Sequence, residues 1–170
     1  MGHLFQSSDK LPFHVSIGAV LTDEQGRVCC HFFNSDTMLA SRGITGAIHL
    51  LMRETLEPGE TIEGALVRGL REEFGATGVI RGYLGSIQST FPRPSSGSMV
   101  EKTTLYFHVE KQSLDESLRA KDDLEAGSVI QWIEPKELHD IFIEQGKRFE
   151  RTDLDESKII ASYINHVAQS

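Results

Sequence analysis

The stretch ETLEPGETIEGALVRGLREEFGA, from Glu54 to Ala76, limits what this chain can fold into more tightly than any other segment. Pro58-Gly59 signals a turn, Thr61 caps a helix and Phe74-Gly75 stops it, so Thr61 to Phe74 reads as about four turns of helix. Stepped at about 100° per residue, Ile62, Leu66, Val67, Leu70 and Phe74 form its core face. Glu73 falls on the edge of that stripe, with Glu72 farther round and the small Ala65 and Gly69 nearby. A carboxylate beside a buried face is costly unless a cation or hydrogen bonds compensate it. A solvated acidic helix end is the plain alternative, and the acidic turn before the helix together with Arg68 on the neighbouring face weighs against it.

These residues resemble the signature of the Nudix hydrolases, G-x5-E-x7-R-E-U-x-E-E-x-G-U, where U is bulky and apolar. Glu60, Arg68, Leu70, Glu72, Glu73 and Gly75 occupy its first Glu, its Arg, its apolar position, its Glu-Glu pair and its second Gly without insertion. Ala76 is a small version of the last apolar position. There are two departures: Glu54 replaces the first glycine, and Gly69 replaces the glutamate after the arginine. The resemblance implies an α/β (α+β) fold of one domain, residues 1–170, a Nudix-type α/β/α sandwich with a mixed β-sheet and a loop-helix-loop motif. The implied function is a pyrophosphohydrolase that cleaves a nucleoside diphosphate linked to another moiety, such as ADP-ribose or a nucleotide sugar.

In such hydrolases the glutamates hold Mg²⁺ or Mn²⁺ against a diphosphate, because a hard cation prefers oxygen ligands. The resemblance therefore implies metal at Glu72 and Glu73, with Glu60 and Arg68 bracing loop and helix. The carboxylate missing at position 69 has a candidate replacement in Glu54, which arrives from the facing loop into the room a glycine leaves. Two unrelated changes in a chain that has lost catalysis explain the same pattern. The rival function is then a non-catalytic nucleotide- or protein-binding module on the same fold, and a two-carboxylate hydrolase of another class is a distant third.

Composition sets outer limits. A chain of 170 residues, 39% hydrophobic and 25% charged, suits one globular domain with a core of its own. A formal charge of −8 argues against a nucleic-acid polymer as partner, because backbone phosphates are bound mainly through clustered Lys and Arg. Cys29 and Cys30 are adjacent, poor spacing for a disulfide or a zinc site, and read as inward and outward neighbours on a strand. No basic start followed by an apolar run and no membrane-length segment is present, so the expectations are a cytoplasmic protein and no membrane partner, with a homodimer left open.

Outside the signature, Phe13 to Thr22 and Arg27 to Phe33 flank the turn Asp23-Glu24-Gln25-Gly26 as a hairpin, and Ile44 to Met52 leads into the signature loop. Val79 to Thr90, Lys102 to Glu110 and Val129 to Ile133 read as later strands, with helices at Pro135 to Glu144 and Asp153 to Val167. Glu125, ahead of the last strand, is the candidate general base, with Asp122 and Asp123 as neighbours and a solvated acidic loop as the bland reading. In the Pro/Ser-rich loop, Arg93 is the candidate phosphate contact and Phe91 a candidate stacking surface, and Pro92 is placed as in relatives acting on ADP-ribose. The seven histidines read as structural or surface residues.

Overall fold

The computed structural model describes residues 5, 8, 12–34, 44–93, 96–122 and 124–169. In chain order these form β1 (Phe13–Thr22), β2 (Val28–Phe33), β3 (Ile48–Leu50), β4 (Met52–Thr55), α1 (Ile62–Gly69), β5 (Ala76–Pro92), β6 (Met99–Leu114), β7 (Val129–Ile133), α2 (Pro135–Phe149) and α3 (Ser157–Ala168). Strand β1 is the hub. One edge runs parallel to β6 from Phe13↔Glu101 to Thr22↔Glu110, while the other is shared between β4, antiparallel at Ser16 to Ala19, and β2, at Thr22↔Val28. β3 and β7 pair with β2, and β5 pairs antiparallel with β6. The sheet is therefore mixed, as expected.

Both faces of this sheet are covered, which explains the long apolar run of β1. Ile17, Ala19 and Leu21 pack with Leu66, Leu70 and Phe74 of the signature helix, whereas Val20 packs with Leu138, Phe142, Ile159 and Ile160 of α2 and α3. The two cysteines divide the same way. Cys29 joins the first cluster and Cys30 the second, so both are fully buried and neither is the outward neighbour expected from a one-sided sheet.

The signature folds as its capping residues dictate. Thr61 Oγ1 accepts the Gly64 N–H at 3.0 Å, and the helix ends at Gly75 with φ +67°. Leu66, Leu70 and Phe74 are buried, but Val67 is 59% exposed, because the stripe is narrower than the sequence suggests and Val67 turns outward beside Leu118. The last five helical residues, Leu70–Phe74, make a π turn, the wide irregularity that recurs at functional sites, and it carries both Glu73 and Phe74 inward.

Several boundaries differ from the sequence reading. The run Ile44 to Met52 breaks at Leu51 into β3 and β4, so Glu54 stands on a strand, not on a loop. β5 and β6 extend to Pro92 and from Met99, which shortens the Pro/Ser-rich loop and leaves Phe91 on a strand. Pro94 and Asp123, and 35–43 of the loop before β3, lie outside the described residues.

Gly75 locks the helix end to the turn after β6. Its carbonyl accepts the Asp115 N–H at 2.9 Å, and a Cβ added there would meet the Asp115 carbonyl oxygen at 2.0 Å. Gly75→Ala combines a left-handed φ with that overlap and is expected to cost more than about 1 kcal/mol, read as a lowered urea midpoint at unchanged m-value.

Candidate functional site

Arg68 organises the outer half of the signature. Its Nε and Nη2 donate to Glu60 Oε1 and Oε2, both at 2.9 Å, in a two-pronged bond, and Nη2 also reaches the Thr55 carbonyl at 2.9 Å. The remaining nitrogen, Nη1, lies 3.1 Å from Glu54 Oε1 and 3.5 Å from Glu72 Oε2. Glu54 and Glu72 thus converge on one point. The Arg68 hydrogen bonds hold the Glu60 carboxyl below its usual range, whereas burial outweighs the same cation at Glu54 and pushes that carboxyl up. Position 69 faces Glu54 directly. A Cβ there would lie 2.8 Å from Glu54 Cβ and 2.9 Å from Met52 Sδ, so the glycine is what admits the longer side chain on β4.

Glu73 takes a different direction. It is only 5% exposed, and its Oε2 lies 2.7 Å from His31 Nε2 on β2. The Ser128 hydroxyl donates to the Glu125 carbonyl at 2.7 Å, so at 2.7 Å the neighbouring His31 Nδ1 is the donor to Ser128 Oγ. In a neutral imidazole Nε2 then accepts, and the proton belongs to Glu73. Burial supports this assignment, since it pushes the Glu73 carboxyl well up and drives the His31 imidazole down to about 3. Arg119 closes the arrangement. Its Nε donates to the Glu73 carbonyl at 2.7 Å and Nη2 to the Glu125 carbonyl at 2.7 Å and to Ser128 Oγ at 2.8 Å, fastening the helix end to the turn before β7.

Phe91, Arg93 and Glu125 all line one cavity of about 390 Å³. Its wall also includes Arg53 and Lys102, which together with Glu125 act electrostatically on the Glu73 carboxyl. Consecutive strand residues point to opposite faces, so Glu54 joins the signature side while Arg53 enters the cavity. Arg53 is fixed there by the Asp153 carbonyl at 3.0 Å and by Glu156 Oε1 at 3.5 Å.

Of the residues singled out in the sequence, Glu54, Glu60, Arg68 and Glu72 meet around one guanidinium, and Phe91, Arg93 and Glu125 meet in one cavity. Glu73 stands between the two groups, turned away from Arg68. Arg53, Arg119 and Ser128 are absent from the sequence reading, and His31 enters it only among the structural or surface histidines, because their partners lie far along the chain and no spacing pattern records them. The one available signal is the need of a buried Glu73 for a partner, which predicts that such a residue exists without naming it.

Comparison with known proteins places this geometry in a family. The NUDIX domain model matches residues 12–152, and the chain belongs to the Nudix family. Its fold is similar to that of a NUDIX hydrolase from Nitrosomonas europaea, with a TM-score of 0.62 and 20% identity over 89% of this chain and 88% of that one. The solution structure of the E. coli ORF135 protein is also similar, with a TM-score of 0.59 and 18% identity over 91% of each chain. No curated protein sequence matches the chain. The family implies pyrophosphohydrolase activity in general and generally uses divalent metals.

The side chains meet that requirement in part. Among the described residues no three His, Cys, Asp or Glu side chains form a ready-made metal group. Glu54 and Glu72 nevertheless direct two hard oxygen donors at one atom, Arg68 Nη1, so a divalent ion would take this pair only by displacing the guanidinium. Glu73 joins such a set only by giving up its proton and its bond to His31.

The shared proton has a measurable consequence. The lowered His31 pKa makes stability fall as the medium becomes acid, and the raised Glu73 pKa makes it fall as the medium becomes alkaline. Unfolded, the two groups titrate near 4.5 and 6.5, so the pair's contribution is expected to be flat between those values and to decline on either side. The slope reaches at most about 1.4 kcal/mol per pH unit. Denaturation of wild type and Glu73→Leu across pH 4 to 9 checks this, and the alkaline decline is expected to be missing from the variant.

Proposed function

We propose that this chain hydrolyses the diphosphate of a nucleoside diphosphate linked to another group, with ADP-ribose or a nucleotide sugar as the preferred type. The observation that carries the reading is a cavity lined by an aromatic side chain, Phe91, a cation, Arg93, and a carboxylate, Glu125, the last of which also acts electrostatically on the signature's Glu73. In this reading Phe91 supports the base or sugar, Arg93 contacts a phosphate oxygen and Glu125 takes the proton of the attacking water. Arg68 acts by position, holding Glu60 against the helix and presenting Glu54 and Glu72 together. Mg²⁺ or Mn²⁺ would be held by Glu54 and Glu72, with Glu73 as a further ligand once ionised, and when bound it supplies Lewis-acid stabilisation of the diphosphate. The cytoplasm is the proposed location, and no helix among the described residues is long and apolar enough to cross a membrane.

The second reading, a binding module that has lost its metal, draws on a specific observation: protein groups already engage all the signature carboxylates. Arg68 meets Glu54, Glu60 and Glu72, and His31 meets Glu73. A screen of nucleoside diphosphate derivatives with Mg²⁺ and Mn²⁺, reading phosphate after phosphatase coupling, separates the two. Turnover of ADP-ribose or a nucleotide sugar is the expected result, and binding without any turnover would overturn the hydrolase reading.

Substitutions at Glu54, Gly69 and Glu72 test the ligand assignment. Millimolar Mg²⁺ or Mn²⁺ is expected to raise the melting temperature of wild type by mass action, and Glu54→Gln or Glu72→Gln to remove most of that rise. Glu54→Gly alone is expected to lower turnover at least tenfold, while Glu54→Gly with Gly69→Glu restores it to within a few-fold. Gly69→Glu alone forces a new Cβ against Glu54 and Met52 and is expected to lower the melting temperature.

A further inference from the structure

Within a chain whose formal charge is −8, the cavity reverses sign. Arg53, Arg93, Lys102 and Arg151 line it against only Glu125 and Asp153. Asp153 is already matched by Arg151, with contacts of 2.9 and 2.6 Å, so its charge does little to offset the others. The apolar remainder of the wall, Phe91 and Val100 among it, lowers the local dielectric and strengthens that positive field.

Lys102 is the cation with least compensation. It lies on β6 opposite His14 of β1, and no hydrogen bond or ion pair joins its ammonium to another described residue. The groups acting on it are Arg53 on β4, Glu73 at the end of the signature helix, and Asp153 and Glu156 before and at the start of α3. Burial, then the Arg53 charge, pulls Lys102 down to about 8, and burial holds the neighbouring His14 neutral by bringing it to about 4. An ammonium crowded by the Arg53 guanidinium at the wall of a cavity, with no direct ion pair to a described residue, is stabilised when an anion arrives. Arg53 is anchored in advance by Asp153 and Glu156, so an anion meets it without reordering.

The geometry points to a phosphoryl-binding subsite in this cavity, built from Lys102 and Arg53, that takes the diphosphate of a nucleoside diphosphate derivative directly on protein cations and without a divalent ion. It rests on the cavity of the proposed hydrolase, and it assigns to two strand residues a charge-neutralising part separate from the carboxylates around Arg68. Arg53 and Lys102 come from strands, so the sheet itself supplies positive charge to the site.

Calorimetric titration with ADP, and with orthophosphate as the nucleoside-free control, tests this in buffer containing EDTA. Wild type is expected to bind ADP under these conditions, at least tenfold more tightly than orthophosphate. Lys102→Met is expected to weaken ADP binding at least tenfold while its melting temperature stays equal to or above that of wild type. Lys102→Arg is expected to stay within about threefold of wild type at pH 7. Between pH 7 and 9 the affinity of wild type should decline as Lys102 loses its proton, and that decline should be shallower in Lys102→Arg. Wild-type binding that disappears with EDTA, or unchanged affinity in a folded Lys102→Met, overturns the subsite. EDTA-resistant binding with no turnover in Mg²⁺ or Mn²⁺ removes the hydrolase reading and upholds the subsite, and turnover without such binding does the reverse.

Discussion

The buried carboxyl of Glu73 is the group around which the neighbouring elements are arranged. Leaving such a group without partners inside the protein costs about 1–3 kcal/mol or more, and three separate segments gather around this residue. His31 binds its carboxyl from β2, Arg53 of β4 acts on its charge, and Arg119 binds the Glu73 main chain from the segment after β6. Each contact also fixes the position of its own segment. Through Arg119 and Ser128 the same network holds the turn bearing Glu125 against the signature helix, so the candidate base and the signature are parts of one hydrogen-bonded unit.

A second organising element is the alternation of β4. Because Arg53 and Glu54 face opposite sides of one strand, a single short element supplies a carboxylate to the Arg68 cluster and a cation to the cavity. Both faces of the sheet are buried, so each of these charges needs its own partner. Glu54 finds Arg68 and the Thr55 N–H, and Arg53 finds Glu156 and the Asp153 carbonyl. Glu156 is itself fully buried and is satisfied by the Leu51 N–H at 2.8 Å and the Tyr106 hydroxyl at 2.5 Å, which extends the polar network to α3. The site is held from both sides of the sheet.

The relation between positions 54 and 69 shows how a two-residue exchange is accommodated sterically. A glycine in the helix interior costs up to about 1 kcal/mol relative to alanine. Here a Cβ at position 69 would overlap Glu54 and Met52, so the glutamate at 54 requires the glycine at 69. The geometry gives a physical reason for the pairing.

By itself the sequence determined the helix of the signature, its cap at Thr61 and its stop at Gly75, because these depend on neighbours within a few residues. It also determined the hairpin at Asp23 to Gly26 and the strand Val129–Ile133. It indicated that Glu73 would need compensation, but not from where. The tertiary structure alone decided that His31 supplies it while Arg119 fastens the Glu73 main chain, that Val67 turns outward, that both cysteines are buried, and that Arg53 and Lys102 give an acidic chain a positive cavity. The reason is distance along the chain: local pattern records caps, turns and periodicity, whereas His31 and Glu73 are separated by 42 residues and meet only when β2 and the helix pack on the same face of the sheet.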